Sequence, residues 1–234
     1  MLWQFANRLE QARGKADSQN QYKDYNFIFD NERVDIIERP RGSPIDKVVS
    51  ELMIQVNSHW AKQLSEAGVA AIYRSQGGGK VRMSTSAAPH QGLGVAQYAW
   101  SSSPLRRYVD LVNQRQLIAL INGQEPPYAP NSEELFSAIR DFELAYDAYS
   151  NVQRSMERYW CLRYLQQEGM STAYATLIKE NLVRFENLPL VTRAFGMPEL
   201  PPGTRVELEL SAVDLLELEV RCKFHAEKPL ELAA

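Results

Sequence analysis

Hydrophobic positions in the first two thirds of the chain mostly recur with the period of an α-helix. Helices are predicted over about residues 2–14, 104–121 and 131–167, the last from a capping-box start at Asn131. Another helix is predicted to begin after Ser43-Pro44, because serine suits an N-cap and proline the first helical position. Its core-facing stripe is predicted to consist of residues at helical spacing: Ile45, Val49, Leu52, Val56 and Trp60.

Short alternating segments predict strands in two hairpins. Residues 25–38 alternate and turn at Asp30-Asn31, and strands over 69–74 and 80–84 are joined by the glycines that precede Lys80. The glycine run resembles a phosphate-binding loop, but a valine follows the lysine where that loop needs serine or threonine. The run therefore predicts a tight turn, since glycine tolerates the backbone conformations that such turns require.

The pattern changes after residue 171 to short strands separated by turn residues. The predicted strands cover five ranges: 173–179, 181–186, 189–194, 204–211 and 215–222. Five short strands in so short a segment suit a small barrel such as an OB-fold, a common binder of single-stranded nucleic acid. A small barrel with another role remains the alternative, and the residues from Ala226 onward are predicted to be a tail.

One segment carries the most chemical information, Ser102-Ser103-Pro104-Leu105-Arg106-Arg107-Tyr108-Val109-Asp110-Leu111. Ser103 and Pro104 predict an N-cap and a first helical residue, which places Arg106 and Arg107 in the first turn. The interaction of a cation with the positive end of the helix dipole is unfavourable by about 0.3–1 kcal/mol, whereas the free N–H groups favour an anion. The two arginines therefore predict an anion site, most simply for phosphate. The alternative is that one pairs with a carboxylate and the other is solvated.

Two neighbours of these arginines have predicted structural roles. Asp110 lies one turn beyond Arg106, where an i,i+4 ion pair would orient the guanidinium. Tyr108 falls on the apolar face of the predicted helix, so its ring is predicted to pack in the core with its hydroxyl hydrogen-bonded.

The same segment resembles the Thr-Ser-Pro-Ile-Arg-Arg-Tyr-x-Asp-Leu signature of the ribonuclease II and ribonuclease R family. Glu51-Leu52-Met53 with Asn57 resembles the family's Glu-x-Met…Ala-Asn helix, and Ile72-Tyr73-Arg74 resembles its Tyr-Arg strand. Further matches follow in the family's order: His90 with Gly92-Leu93-Gly94, and Met156-Glu157-Arg158. Among the departures, Trp100-Ser101 stands where the family has His-Phe.

The resemblance implies an α+β fold in three parts. Residues 1–171 would be the helix-rich C-terminal portion of the catalytic domain, 172–226 an OB-fold-like RNA-binding barrel, and 227–234 a tail. The implied activity belongs to a 3′-to-5′ exoribonuclease, which hydrolyses single-stranded RNA to nucleoside 5′-monophosphates. In such an enzyme the barrel would guide the RNA into the catalytic cavity.

Five residues take roles by this resemblance. Arg106 would be catalytic and would neutralise charge that builds on the phosphoryl oxygens. Arg107 and Arg115 would hold the RNA backbone, whereas Glu51 and Glu157 would position the terminal nucleotides. From the residues alone, Glu51 is a solvated glutamate at the flank of a helix. Glu157 similarly falls in a surface ladder with Arg154 and Arg158, two arginines that are predicted to be structural.

The family holds magnesium with aspartates spaced Asp-x5-Asp-x-Asp-Asp, and this chain has no such cluster. Magnesium is therefore expected of the full-length enzyme, with its ligands absent from this chain and no metal-binding residue assigned here. The chain looks like the C-terminal half of the enzyme, inactive alone and completed by the missing N-terminal half. Its apolar surface should then include an exposed patch, with Trp3, Trp60 and Trp100 as candidates for the edge. The alternatives are a non-catalytic RNA-binding module and a helical interaction protein completed by a separate polypeptide.

Composition narrows the remaining possibilities. A net charge of −3 argues against a protein that binds nucleic acid through its overall charge, so any RNA contact needs a local basic patch. Cys161 and Cys222 lack metal-ligand spacing and are predicted to be reduced and buried, which suits the cytoplasm. No apolar run approaches the length that a membrane span needs, and His90 is predicted to be a structural histidine.

Overall fold

A computed structural model describes residues 1–15, 23–39 and 43–228 of the chain. In chain order the elements are α1 (Leu2–Ala12), β1 (Asp24–Asp30), β2 (Arg33–Arg39), α2 (Pro44–Glu66), β3 (Tyr73–Ser75), β4 (Arg82–Ser84), α3 (Tyr108–Ile121), α4 (Glu133–Gln167), β5 (Thr172–Lys179), β6 (Leu182–Phe185), β7 (Val191–Phe195), β8 (Arg205–Asp214) and β9 (Glu219–Glu227). They form two compact units, one of residues 1–15 and 43–148 and the other of residues 23–39 and 149–228. No helix among these described residues is long and apolar enough to cross a membrane.

The first unit is built from α1, α2, α3, the β3–β4 hairpin and the beginning of α4. Its apolar core has two clusters, one around Leu64 and Tyr73 and the other around Ile72 and Leu135. Ser43 caps α2 as predicted, because its side chain accepts the backbone N–H of Asp46 at 3.2 Å. The glycines before Lys80 form the predicted turn.

The predicted core-facing stripe of α2 is wrong at three of its five positions, whereas Trp60 packs against the core and Leu52 is half-buried. Ile45, Val49 and Val56 are exposed, and the residues that α2 buries are Val48, Glu51, Asn57, Ala61 and Leu64. Two of these buried residues are polar and bind groups outside α2, so the face that holds them turns inward. Hydrophobic periodicity alone could not give that orientation, because the apolar residues of this helix cover more than one face.

The second unit contains the barrel that the strand pattern predicted. Its five strands close in the order β5-β6-β7-β9-β8, antiparallel except for the β7–β9 pair. Alternate residues fill the interior, among them Ala175, Leu177, Val183, Val206 and Leu208. The last strand runs to Glu227, so the predicted tail begins later than Ala226, and its residues 229–234 lie outside the described residues.

The β1–β2 hairpin and the end of α4 complete the second unit. The hairpin turns at Asn31-Glu32, one residue later than predicted, and both residues have the positive φ of a tight turn. Gln167 binds the backbone of Val34 through both its amide oxygen and its amide nitrogen. Arg158 donates from Nε to the carbonyl of Leu218 and from Nη1 to that of Val191 at 2.7 Å, which confirms its structural role.

Two capping details differ between sequence and structure in α4. Ser132, and not Asn131, caps the helix by accepting the N–H of Leu135 at 3.4 Å. Asn131 instead has a φ of 57°, a left-handed conformation outside a helical cap. The predicted end of the helix before Gly169 is confirmed, because this glycine has a φ of 58°.

Both cysteines are buried and unpaired, as predicted, and burial raises their pKa values to about 12 for Cys161 and about 11 for Cys222. We therefore expect neither thiol of the native chain to react with a disulfide reagent at pH 8, whereas both react in denaturant. A folded-state pKa above the unfolded value stabilises the fold at lower pH. That contribution is lost as pH rises from about 9 toward 12. Thiol titration with and without urea measures this reactivity. Fast labelling of the native chain would contradict the prediction that both thiols are unreactive.

Candidate nucleic-acid site

Asn57 holds the start of the arginine-containing segment against α2. Its Oδ1 accepts the backbone N–H of Ser101 at 3.0 Å, and its Nδ2 donates to the Ser102 hydroxyl at 3.1 Å and to the Tyr98 hydroxyl at 3.3 Å. The asparagine is fully buried, so these bonds replace the water that its amide loses. Asn113 of α3 similarly binds both backbone groups of Ile72 and the carbonyl of Trp100. Two buried amides therefore fix the backbone that leads to Arg106.

The predicted helix start at Pro104 is wrong. Residues 104–106 form a turn in which the Ser103 carbonyl accepts the N–H groups of Arg106 and Arg107. Arg107 is extended, with φ −134° and ψ 115°, and α3 begins only at Tyr108. The break arises because Asp110 takes the Ser103 N–H at 2.8 Å and draws the turn back onto the first turn of α3.

The Asp110 carboxylate pairs with Arg107 and not with Arg106 as predicted. Arg107 Nη2 lies 2.7 Å from Asp110 Oδ1, and the aspartate side chain is completely buried. The guanidinium of Arg107 also lies over the Trp100 ring, 3.9 Å from its centre. Arg107 Nε and Asp110 Oδ2 are buried without a hydrogen-bond partner. With Arg106 exposed, this arrangement matches the alternative in which one arginine pairs with a carboxylate and the other is solvated.

Arg106 is exposed at the tip of this turn. Its side chain makes one long hydrogen bond, from Nη2 to the Ser103 hydroxyl at 3.4 Å, and no ion pair with any described residue. Its neighbours on the turn are open as well, since Leu105 is fully exposed and Tyr108 is 51% exposed. The predicted core position of Tyr108 is therefore wrong. A fixed backbone therefore presents to solvent a cation that has no ion-pair partner among the described residues.

Arg115 lies farther along α3 and is exposed. Its Nη1 donates to the Tyr128 hydroxyl at 3.0 Å, and that bond raises the pKa of Arg115. Tyr108 is hydrogen-bonded to the same hydroxyl group, which raises the pKa of Tyr108. One arginine and two tyrosines thus form a small polar and aromatic cluster on α3 and the loop that follows it.

Glu51 is buried and paired. Its Oε1 accepts from Arg13 Nη2, and the other Arg13 terminal nitrogen donates to the carbonyl of Leu93. Its second oxygen, Oε2, is buried without a hydrogen-bond partner. Gly94 packs closely against the main chain of Arg13. A Cβ at this position would lie 2.4 Å from the Arg13 carbonyl oxygen, and the φ of +67° also favours glycine. The solvated alternative for Glu51 is wrong.

The remaining predicted residues have local partners. His90 is buried, and its Nδ1 accepts the Leu93 N–H at 3.3 Å, while burial lowers its pKa. Its structural role is that of a residue that closes the loop before Gly94. Glu157 belongs to the second unit and accepts from Gln153 Nε2 at 2.9 Å on the surface of α4, whereas Arg106, Arg107, Arg115 and Glu51 belong to the first unit.

The described residues do not fit a magnesium ion. Within residues 1–15, 23–39 and 43–228, no group of three histidine, cysteine or acidic side chains is arranged to hold a metal. The buried carboxylates of the first unit are paired with arginines, Glu51 with Arg13 and Asp110 with Arg107. A cation would have to displace these guanidinium groups to reach either carboxylate.

Sequence reasoning missed one feature of the first unit, a cluster around Trp100. The guanidinium carbon of Arg74 lies 3.5 Å from the centre of the Trp100 ring, and Phe142 meets the same ring edge-on at 6.0 Å. Burial lowers the pKa of Arg74. The replacement of His-Phe by Trp100-Ser101 in the signature was the sequence signal that could have located this cluster.

Residues 78–123 match the RNB domain. This similarity covers 46 of the 234 residues of the chain. The RNB segment, residues 78–123, includes the fixed turn with Arg106 and all of α3. An uncharacterised ribonuclease of Synechocystis is 30% identical over 142 residues, which are 56% of this chain and 21% of that protein. Exoribonuclease 2 of Yersinia pestis is 36% identical over 99 residues, 41% of this chain and 14% of that protein.

Solved structures share the fold beyond the RNB segment. The Dss1 exoribonuclease of Candida glabrata matches 96% of this chain with a TM-score of 0.77 at 17% identity, over 35% of its own length. RNase R of Mycoplasma genitalium, solved with ribose-methylated single-stranded RNA, matches 96% of this chain with a TM-score of 0.77 at 15% identity. That match covers 49% of the RNase R chain. The chain thus spans about a fifth or less of these two curated relatives and at most half of these solved structures.

Proposed function

We propose that this chain is the part of a 3′-to-5′ exoribonuclease that supplies the catalytic arginine and an RNA-guiding barrel. The substrate would be single-stranded RNA, and the products nucleoside 5′-monophosphates. The observation that carries the proposal is Arg106, an exposed cation without an ion-pair partner among the described residues, on a turn fixed by Asn57 and Asp110. The RNB segment and its exoribonuclease relatives support it.

The chemistry assigned to Arg106 is electrostatic. Hydrolysis of a phosphodiester places additional negative charge on the phosphoryl oxygens, and a guanidinium can donate two parallel hydrogen bonds to them. Because the backbone of residues 101–107 is fixed in advance, little ordering would be needed when RNA binds. Arg115 would contact a backbone phosphate nearby, since its guanidinium is exposed.

The other predicted residues take supporting roles in this proposal. Arg107 would act mainly through its own main-chain atoms, because its side chain contacts Asp110 and the Trp100 ring. Glu51 would accept hydrogen bonds from ribose hydroxyls, which requires its buried Oε2 to become accessible when RNA binds. Glu157 would do the same from α4. The magnesium that the family resemblance implies would be held by aspartates outside this chain. A reducing compartment, the cytoplasm, fits the two free thiols.

A second candidate function, an RNA-binding part completed by another RNB polypeptide, is favoured by an exposed apolar face. Trp3 and Phe5 of α1 are 41% and 46% exposed, and Ile45, Val49 and Val56 of α2 are exposed too. Of the three tryptophans expected at the edge of such a patch, Trp60 and Trp100 are instead half-buried. A monomeric protein seldom leaves so many large apolar residues of two adjacent helices in water.

The test compares this chain alone with a polypeptide that carries it after an RNB segment containing Asp-x5-Asp-x-Asp-Asp. The chain alone should release no mononucleotides from single-stranded RNA above a mock purification, because its sequence has no aspartate cluster. The longer polypeptide should release 5′-mononucleotides when magnesium is present. Robust magnesium-dependent hydrolysis by the chain alone would overturn the first expectation, and an inactive longer polypeptide would overturn the proposed function.

A further inference from the structure

A cavity of about 480 Å³ opens in the first unit beside the Trp100 ring, with a volume in the range of about 300–1,000 Å³ typical of ligand sites. Aromatic and basic side chains line most of it. The aromatic residues are Trp100, Phe142 and Tyr146, and the basic residues are Arg74, Lys80 and Arg82. Arg106 and Arg115 are not among the lining residues, so this cavity is a different place from the proposed catalytic turn.

The aromatic side of the cavity is already arranged for stacking. The Phe142 and Tyr146 rings are stacked on each other, with centres 5.6 Å apart and planes 23° apart. Tyr146 is 48% exposed, so one of its faces can accept another flat group. Trp100 also lines the cavity, and the guanidinium carbons of Arg74 and Arg107 lie 3.5 and 3.9 Å from the centre of its ring. Of the three rings, Tyr146 is therefore the one that offers an open surface.

The basic side of the cavity consists of Arg74, Lys80 and Arg82. Lys80 and Arg82 are exposed and make no ion pair with any described residue. Arg74 is half-buried against Trp100, and its Nε is buried without a hydrogen-bond partner. Three cations converge on one opening although the chain as a whole is acidic. Local concentration of positive charge of this kind attracts an anionic ligand.

Two carboxylates, Glu143 and Asp147, also line the cavity and are exposed without an ion pair to any described residue. A ligand that fits must therefore combine an anion, a flat ring and hydrogen-bond donors. A ribonucleotide has all three, namely its phosphate, its base, and its hydroxyl and amino groups. An acidic peptide would satisfy the cations but would bring further negative charge against Glu143 and Asp147.

We propose that this cavity is a nucleotide-binding subsite, in which a base stacks on Tyr146 and its phosphate lies between Arg74 and Arg82. Glu143 and Asp147 accept hydrogen bonds from the sugar or from an exocyclic amino group. The ligand has two possible sources, a free nucleoside monophosphate or one nucleotide within a single-stranded RNA. The inference deepens the proposed function by adding a second RNA contact, but it does not depend on hydrolysis.

A neighbouring cavity indicates how a strand could continue from this subsite. It is lined by the glycine turn, Pro89 and Gln91, and it shares Lys80 and Arg82 with the first cavity. A phosphate between the two cavities would meet the shared cations, and the next nucleotide would lie beside the glycine turn. Stacking platforms joined by a basic groove are the usual way in which proteins hold single strands without reading their sequence.

The test titrates the purified full chain with AMP, followed by calorimetry, and with a fluorescein-labelled octaadenylate, followed by anisotropy. Tyr146→Ala should weaken binding about 5- to 150-fold, the range measured for loss of one base–aromatic stack, whereas Tyr146→Phe should bind like the parent. Arg82→Ala should lower the salt dependence of octaadenylate binding by about 0.7 in log–log slope. Arg140→Ala is the matched control, because Arg140 is exposed on the same helix as Tyr146 and does not line the cavity.

The ligand comparison distinguishes the two sources. If AMP binds and competes with octaadenylate, the subsite accepts a free nucleotide. If only octaadenylate binds, the subsite holds a nucleotide within a strand. Either result supports the inference when the variants respond as stated. Adenosine and ribose 5-phosphate, which lack the phosphate and the base respectively, should bind more weakly than AMP. Binding that is unchanged in Tyr146→Ala and Arg82→Ala, no binding at all, or equal binding of polyglutamate would overturn it. A responsive subsite in a longer polypeptide that hydrolyses no RNA would leave this inference standing and remove the proposed function alone.

Discussion

Replacing Arg106 by alanine should lower turnover of the longer, aspartate-containing polypeptide by about 10²–10³-fold, the loss seen when one preorganised donor to a transition-state oxyanion is removed. Affinity for single-stranded RNA should fall only modestly, because binding is shared among many phosphate contacts. The physical basis is that Arg106 has no ion-pair partner among the described residues and lies on a backbone held at both ends. The measurement is single-turnover hydrolysis together with RNA affinity in the absence of cleavage.

Three controls make that result specific. Arg106→Lys should not restore turnover, since an ammonium cannot form the two parallel hydrogen bonds of a guanidinium. The stability of Arg106→Ala should stay within about 0.5 kcal/mol of the parent, because the side chain is exposed and makes one long hydrogen bond. Arg140→Ala, on the exposed surface of α4, should leave turnover unchanged. Retained turnover with a collapse of affinity would make Arg106 a clamp on the RNA backbone.

The parts of the fold that the sequence predicted are those specified by local pattern. Buried and exposed residues alternate along the barrel strands, so the positions of these strands could be predicted from a period of two. The closed sheet agrees with the predicted barrel. The cap at Ser43 also depends only on residues within one turn. In each case the pattern that identifies the element lies within the element itself or one turn from it.

Two of the parts that were predicted wrongly depend on contacts that reach beyond one helical turn. The buried face of α2 is set by Glu51 with Arg13 and by Asn57 with residues 98–102, none of which are local to the helix. The start of α3 is set by the bond from the Ser103 N–H to Asp110, which outweighs the local preference for a helix at Ser103-Pro104. Buried polar residues inside an otherwise apolar helix, such as Asn57 and Asn113, are the sequence signal for such contacts.

Which arginine of the candidate site is paired also depends on three-dimensional contacts. Resemblance located Arg106 and Glu51, but whether a guanidinium is free or paired depends on which carboxylate reaches it. Arg106 and Arg107 are adjacent in the chain, yet one is exposed and the other lies between Asp110 and the Trp100 ring. The pocket around Trp100 involves residues from β3, β4 and α4, whose proximity no local pattern encodes.

Asp110 should be the most sensitive polar residue of the first unit to substitution. Asp110→Ala would leave the guanidinium of Arg107 buried without its carboxylate and the Ser103 N–H without its acceptor. Breaking a buried ion pair from one side costs about 3–5 kcal/mol, a large part of the about 5–15 kcal/mol by which domains are stable. Urea denaturation followed by tryptophan fluorescence measures the change, and Asp110→Asn should lose less because its amide oxygen still accepts from Ser103.

Two further variants serve as controls for Asp110→Ala. One changes an exposed acidic residue, and the other also changes Arg107, the ion-pair partner of Asp110. Asp141→Ala removes an exposed partner of Arg140 and should change the free energy of unfolding by less than about 1 kcal/mol. Arg107→Met combined with Asp110→Ala should recover part of the stability lost in Asp110→Ala, because no charge is then left buried without a partner. A loss in Asp110→Ala no larger than that in Asp141→Ala would show that the turn is held by Asn57 and the backbone alone, and that Asp110 contributes little to presenting Arg106.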